Sequence, residues 1–102
     1  MYRSTTPTVI LHIKNEDFDM NQIEICHVAI ESENGRIRKV YENPDINVEE
    51  KTITFTMTQD DTLNFMVGKI KLQTKMKLIG GAVVASKMIV TQMNEILEEE
   101  VL

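Results

Sequence analysis

A chain of 102 residues with 42% apolar side chains amounts to one domain, long enough to bury a core and too apolar to be disordered over most of its length. A single cysteine, Cys26, excludes an internal disulfide and any multi-cysteine zinc site, and no apolar run approaches the ~18 residues a membrane helix needs. The net charge of −5 argues against general nucleic-acid binding, which requires an electropositive footprint.

The opening residues, Met1-Tyr2-Arg3-Ser4-Thr5-Thr6-Pro7, form no apolar signal core. The expectation is a protein made and kept in the cytoplasm, or leaving it only within a larger particle such as a virion. Residues 1–7 read as an N-terminal arm, 8–93 as a β-sandwich domain and 94–102 as an acidic tail.

Thr8 to Ile13 alternates, with Val9, Leu11 and Ile13 on one face, which is the period of a strand. Asn15 to Asn21 is a polar loop. Ile23 to Ser32 is a second strand, Asn34-Gly35 a hairpin signal suited to a type I′ turn, and Arg36 to Glu42 the returning strand. A two-residue loop sets Glu33 opposite Arg36, Ser32 opposite Ile37, Glu31 opposite Arg38 and Val28 opposite Tyr41. One face then collects Val28, Ile30, Ile37 and Tyr41, and the other two complementary charge pairs. Ile23 and Ile25 fall on the wrong parity, so a bulge is expected near Glu24–Cys26.

Asn43-Pro44-Asp45 is a turn. Lys51 to Thr58 is the cleanest strand, with Ile53, Phe55 and Met57 against Thr52, Thr54, Thr56 and Thr58. Gln59-Asp60-Asp61-Thr62 reads as a polar corner in which Asp and Thr cap backbone N–H groups, followed by Leu63, Phe65 and Val67. Lys69 to Ile79 and Ala82 to Gln92 form a hairpin about Gly80-Gly81. Its expected register puts Ile70, Leu72, Met76 and Leu78 beside Val83, Ala85 and Ile89 as the core face. The opposite face carries Lys69, Lys71, Gln73, Lys75 and Lys77 beside Val84, Ser86, Met88 and Val90. Residues 94–102 read as a short helix capped by Asn94 or as an extended tail.

Six to seven short strands with regular turns predict an all-β fold: an immunoglobulin-like antiparallel sandwich, with a small open barrel as the alternative. The cysteine pair and tryptophan of antibody domains are absent, so the likeness is architectural.

The sequence offers little chemistry. It has no Gly-x-Ser-x-Gly, phosphate-binding loop or His-Glu-x-x-His. Cys26 and His27 are adjacent on a strand and point to opposite faces, whereas a nucleophile and its base need one side. His12 faces away from Val9, Leu11 and Ile13 and has no metal-ligand spacing around it. Asp17-Phe18-Asp19-Met20-Asn21 begins like a calcium loop, but Gln22 replaces the turn glycine and Val28 the bidentate glutamate. No enzyme activity, cofactor or metal is therefore expected.

The charge distribution is more informative. Residues 68–93 contain five lysines and no acid, so the rest of the chain sums to −10, and the last nine residues carry four glutamates. Lys69, Lys71, Lys75 and Lys77 with Val84, Met88 and Val90 form a mixed cationic and apolar strip of the kind that makes a protein interface. The tail (Ile96, Leu97, Glu98, Glu99, Glu100, Val101, Leu102) has the complementary composition. Docking of this tail on the strip of its own chain or of a neighbour is the expectation, the second case building a ring or chain of subunits.

Arg3-Ser4-Thr5-Thr6-Pro7-Thr8, Thr58-Gln59-Asp60-Asp61-Thr62-Leu63-x-Phe65 and Ala85-Ser86 form an ordered set. On it the chain resembles short uncharacterised structural-block proteins of phages and prophages of Gram-positive bacteria, and in architecture the immunoglobulin-like amino-terminal modules of phage baseplate proteins. The resemblance implies a virion or tail-associated component with protein partners, itself or other virion proteins, and brings no catalytic residues. It implies that the Thr58–Leu63 stretch is a structural corner, with Leu63 and Phe65 plugging the core. The alternative function is a free cytoplasmic binding module of phage origin, host-directed or regulatory.

Overall fold

A computed structural model describes residues 1–34 and 37–102. Among the described residues, eight strands and one α-helix follow one another as β1 (Thr8–His12), β2 (Ile23–Ser32), β3 (Arg38–Tyr41), β4 (Asp45–Asn47), β5 (Thr52–Thr56), α1 (Gln59–Asn64), β6 (Gly68–Leu78), β7 (Val83–Ala85) and β8 (Ile89–Met93), with a 3-10 turn at Met20–Gln22 before β2. They form two antiparallel sheets, one ordered β1-β5-β4 and the other β3-β2-β6-β7, with β8 taking the remaining length of the β6 edge. This is the strand order of an immunoglobulin-type sandwich without its first strand.

Alternation places the core. Val9, Leu11, Ile53 and Phe55 line the inner face of the smaller sheet; Val28, Ile30, Ile70, Leu72 and Met76 line that of the larger. Met57, Phe65 and Met93 fill the space between them, each at most 1% exposed.

The β2–β3 register has Val28 opposite Tyr41 and Glu31 opposite Arg38, as the two-residue loop requires. Gly35 and Arg36, and with them the turn type and the Glu33–Arg36 pair, lie outside the described residues. Ile37 does not join the core. It sits outside β3 at the turn end of the hairpin, its carbonyl accepting from Ser32 N–H, and is 38% exposed. The bulge lies between Ile23 and Ile25, where the parity breaks.

The second hairpin departs from its expected register. Leu78 N–H donates to Ala82 O at 2.7 Å, so the loop has three residues, Ile79–Gly81, not two. Both glycines have φ near +100°, a region closed to most side chains. Lys77 therefore faces Val83, Met76 faces Val84 and Lys75 faces Ala85, one residue off the two-residue-loop pairing. In β8 the expected register returns, with Leu72 opposite Ile89 and Lys71 opposite Val90. Ser86–Met88 absorbs the extra residue as a bulge. Ser86 holds it by donating its N–H to Thr74 O and accepting Thr74 N–H on Oγ, at 2.9 and 3.0 Å.

The polar corner is a helix. Thr58 caps α1 by accepting Asp61 N–H on Oγ1, and the Asp61 carboxylate accepts Thr58 N–H, a reciprocal capping box. Val67, expected beside Leu63 and Phe65, is exposed; Leu63 is half-buried and Phe65 alone is fully inside. Residues 94–102 contain no helix. After a parallel bridge between Tyr2 and Asn94 the tail has no regular secondary structure and bends at Leu97.

Residues 1–7 form a strap across the end of the sandwich. Met1 N donates to Gln92 O, Arg3 N–H to Asn94 O and Met57 N–H to Pro7 O. Thr62 Oγ1 accepts Thr5 N–H and donates to Thr5 O, and Arg3 reaches the Leu63 and Phe65 carbonyls.

Candidate protein interface

β6 lies between β2 and the β7–β8 edge, and its alternation turns Ile70, Leu72, Thr74 and Met76 inward and Lys69, Lys71, Gln73, Lys75 and Lys77 outward. Cross-strand neighbours share a face. Ile25 and His27 of β2 stand beside Lys77 and Lys75, and Val83, Ala85 and Val90 stand beside Lys77, Lys75 and Lys71. Met88 joins them in a shallow depression with Ala29, Glu31, Arg38, Lys71 and Gln73. Ile25, Val40, Val83, Met88 and Val90 are 43–61% exposed, a large apolar content for an outer face.

The strip therefore assembles with one exchange. Lys69, Lys71, Lys75, Lys77, Met88 and Val90 share the outer face; Val84 lies opposite Met76 on the inner side, and Val83 takes its place. The register shift is the cause. Ile25 and Val40 were missed at the sequence level, though the parity break at Ile23/Ile25 was the signal for Ile25. Arg38 and Glu31 pair across the same face at 2.5–2.8 Å. Among the described residues, Lys69, Lys75 and Lys77 have no carboxylate at ion-pairing distance.

The tail lies elsewhere than on its own lysine strip. Glu99 pairs with Arg3, and Ser4 Oγ donates to Glu99 O at 3.0 Å. Ile96 is half-buried, whereas Glu98, Glu100 and Val101 are exposed and Leu97 and Leu102 fully so.

The outer face of the smaller sheet has the opposite character. Ile10, Val48, Thr52 and Thr54 line an open depression with Asp45, Glu49 and Glu50 around it. The neighbouring Lys51 turns away, donating to Asn15 O and Glu16 O.

Among the described residues, the dense ionisable cluster around Asp61 is a clasp. The buried Asp61 carboxylate accepts from Lys39 Nζ, Tyr41 OH (2.8 Å) and Thr58 N–H (3.1 Å), and the Tyr41 ring stacks on Phe55 with centroids 4.6 Å apart. Desolvation pushes the Asp61 carboxyl up, but the Lys39, Thr58 and Tyr41 hydrogen bonds and the Lys39 charge outweigh it and hold it below the usual carboxylate range. Tyr41 moves up, by burial first and then through Asp61. Both groups move away from neutrality, opposite to what proton transfer near pH 7 needs. The cluster ties β3 to the start of α1.

Cys26 is buried, its thiol pushed up to about 11 by desolvation, and His27 lies on the other face beside Lys75. Asp19 and Asn15 spend their side chains on local turns, accepting Asn21 N–H and Asp17 N–H. Among the described residues, no three His, Cys, Asp or Glu side chains are placed to share a metal ion, and no helix is long and apolar enough to cross a membrane. Comparison with protein-family models, with curated proteins and with solved structures finds no match for the chain.

Proposed function

We propose that the chain is a non-enzymatic binding and assembly protein, a structural or adaptor component of a phage or prophage associated with the tail or baseplate. The observation that carries the assembly role is the uncovered outer face of the five-stranded sheet. Isolated apolar side chains are ordinary on a surface, but five of them interleaved with four lysines on one continuous sheet is the composition of an interface. Buried sheet cores cannot supply this pattern, and lysines alone would suffice to guard an edge. The placement in a particle rests on the resemblance of the Arg3–Thr8, Thr58–Phe65 and Ala85-Ser86 stretches.

The test is incorporation. Particles induced from the encoding strain are purified and assayed for the chain by mass spectrometry, with a K75E/K77E variant in parallel. The wild-type chain is expected at a fixed ratio to the major particle proteins, and the variant depleted at least tenfold. A chain found free in the cytoplasm, with no enrichment in particles, overturns the structural role and favours a free binding module.

A further inference from the structure

The two outer faces of the sandwich are complementary to each other. We propose that copies of this chain stack face to back, the lysine face of one subunit receiving the Asp45–Glu50 side of the next. The inference rests on the assembly reading above and names its partner as a second copy.

The charges argue for it. The outer face of the larger sheet presents Lys69, Lys71, Lys75 and Lys77, and Glu31, the carboxylate opposite Lys71 on β2, is paired with Arg38. The outer face of the smaller sheet presents Asp45, Glu49 and Glu50 beside Thr54 and Thr52, with the Lys51 ammonium held away on the Asn15 and Glu16 carbonyls. Each face also has apolar side chains to bury: Ile25, Val83, Met88 and Val90 on one, Ile10 and Val48 on the other, all at least 40% exposed. The Val48 and Ile10 side chains border a depression, which suits a protruding apolar side chain such as Met88.

The same charges exclude the two-fold alternative. An isologous dimer would oppose lysine row to lysine row or carboxylates to carboxylates, and like charges brought together in an interface repel. Opposite faces of one subunit can meet only head to tail, a heterologous contact that closes into a ring or runs on as a filament. Size is sufficient. The Cα trace spans 46 × 24 Å in its two longer dimensions, room for the roughly 800 Å² per partner of a standard interface. The tail does not compete for this role in its own subunit, since Glu99 is engaged by Arg3.

A charge-swap experiment reads the proposal directly. Variant one is K69E/K75E/K77E, which leaves one lysine against three glutamates on the lysine row and so makes both faces acidic; variant two is E49K/E50K, which makes both faces basic. All five positions are exposed, so folding is checked simply by the circular dichroism spectrum and melting temperature. By light scattering, the wild-type chain at high concentration and low salt is expected to exceed the mass of one subunit. It should return to that mass at about 1 M salt, where the Debye length falls to about 3 Å. Each folded variant alone is expected to be monomeric, and an equimolar mixture of the two to associate again. Rescue on mixing is the signature of a heterologous contact between these faces. A wild-type chain that stays monomeric, or variants that do not associate when mixed, overturns the stacking proposal. That failure leaves the incorporation test untouched, because a lysine face serving another virion protein would still enter particles and lose that property with K75E/K77E.

Discussion

Replacing Asp61 by alanine is expected to cost about 2–4 kcal/mol of folding stability. The carboxylate is 6% exposed and accepts from three donors, but they do not count equally. Lys39 is 43% exposed at its side chain and rehydrates when released, so its share is small. Tyr41 OH is part-buried and bonded to a charged acceptor, a hydrogen bond whose loss costs about 1.5–3 kcal/mol. The capping box on α1 contributes about 1 kcal/mol more through Thr58 N–H. In a domain of this size about 4 °C of melting temperature accompanies each kcal/mol, so a drop of ~8–16 °C is expected. Asp61→Asn keeps an acceptor oxygen and loses the charge, and should fall roughly halfway. The pH dependence has a definite sign. The folded-state carboxyl lies below its unfolded value, so its contribution is complete above the unfolded value near about 4 and is lost as pH falls through the folded one. The gap between wild type and Asp61→Asn should therefore narrow below about pH 4. Urea unfolding at pH 7 and pH 3 measures both quantities. An Asp61→Ala variant within 0.5 kcal/mol of wild type (a threshold of about the surface-substitution scatter) would refute the clasp.

Gly68 has φ +132°, and a Cβ there would meet Asn34 Nδ2 at 2.5 Å; Gly68→Ala is expected to lower stability by more than about 1 kcal/mol, read by chemical denaturation. Thr62→Val keeps the shape of a fully buried side chain but strips the Thr5 backbone of its hydrogen bonds to Thr62, so residues 1–6 should exchange amide protons and be cleaved faster while β2 and β6 stay protected. The Cys26 thiol, buried and raised to about 11, should resist a disulfide reagent at pH 8 in the folded chain and react at once in denaturant; rapid labelling of the native protein contradicts that burial.

Much of this fold is legible in the sequence because alternation is a local property. The Ile53-Phe55-Met57 row and the Ile70-Leu72-Met76 row name their own buried face, and the Glu31–Arg38 and Val28–Tyr41 pairs follow from loop length alone. The misreadings arise where a single residue is inserted. One extra residue in the Ile79–Gly81 loop moves Val84 from the lysine face to the inner one, and Ser86–Met88 then restores the phase, so Met88 and Val90 stay where alternation puts them. No periodicity signals such a paired slip; only Ser86, whose hydroxyl replaces a ladder acceptor for Thr74, marks it. Helix α1 was hidden by its brevity, although Thr58 and Asp61 stand at capping-box spacing. Lys39 was the most opaque residue. Its parity sends it inward opposite Ile30, an improbable place for an ammonium until Asp61 arrives from a distant turn. The outer face itself was half visible, as a row of lysines; the β2 and β3 contributions, Ile25 and Val40, needed the sheet order to join it.

The central claim is that the outer face of the five-stranded sheet is covered when the protein works. Lysine acylation followed by mass spectrometry measures that cover directly, comparing the particle-bound chain with the dilute isolated chain. Lys69, Lys71, Lys75 and Lys77 are expected to lose reactivity severalfold together, while Lys14, outside this sheet, keeps its own. Equal reactivity of the four lysines in both states, with protection appearing only at Lys14 or Lys51, would contradict the account.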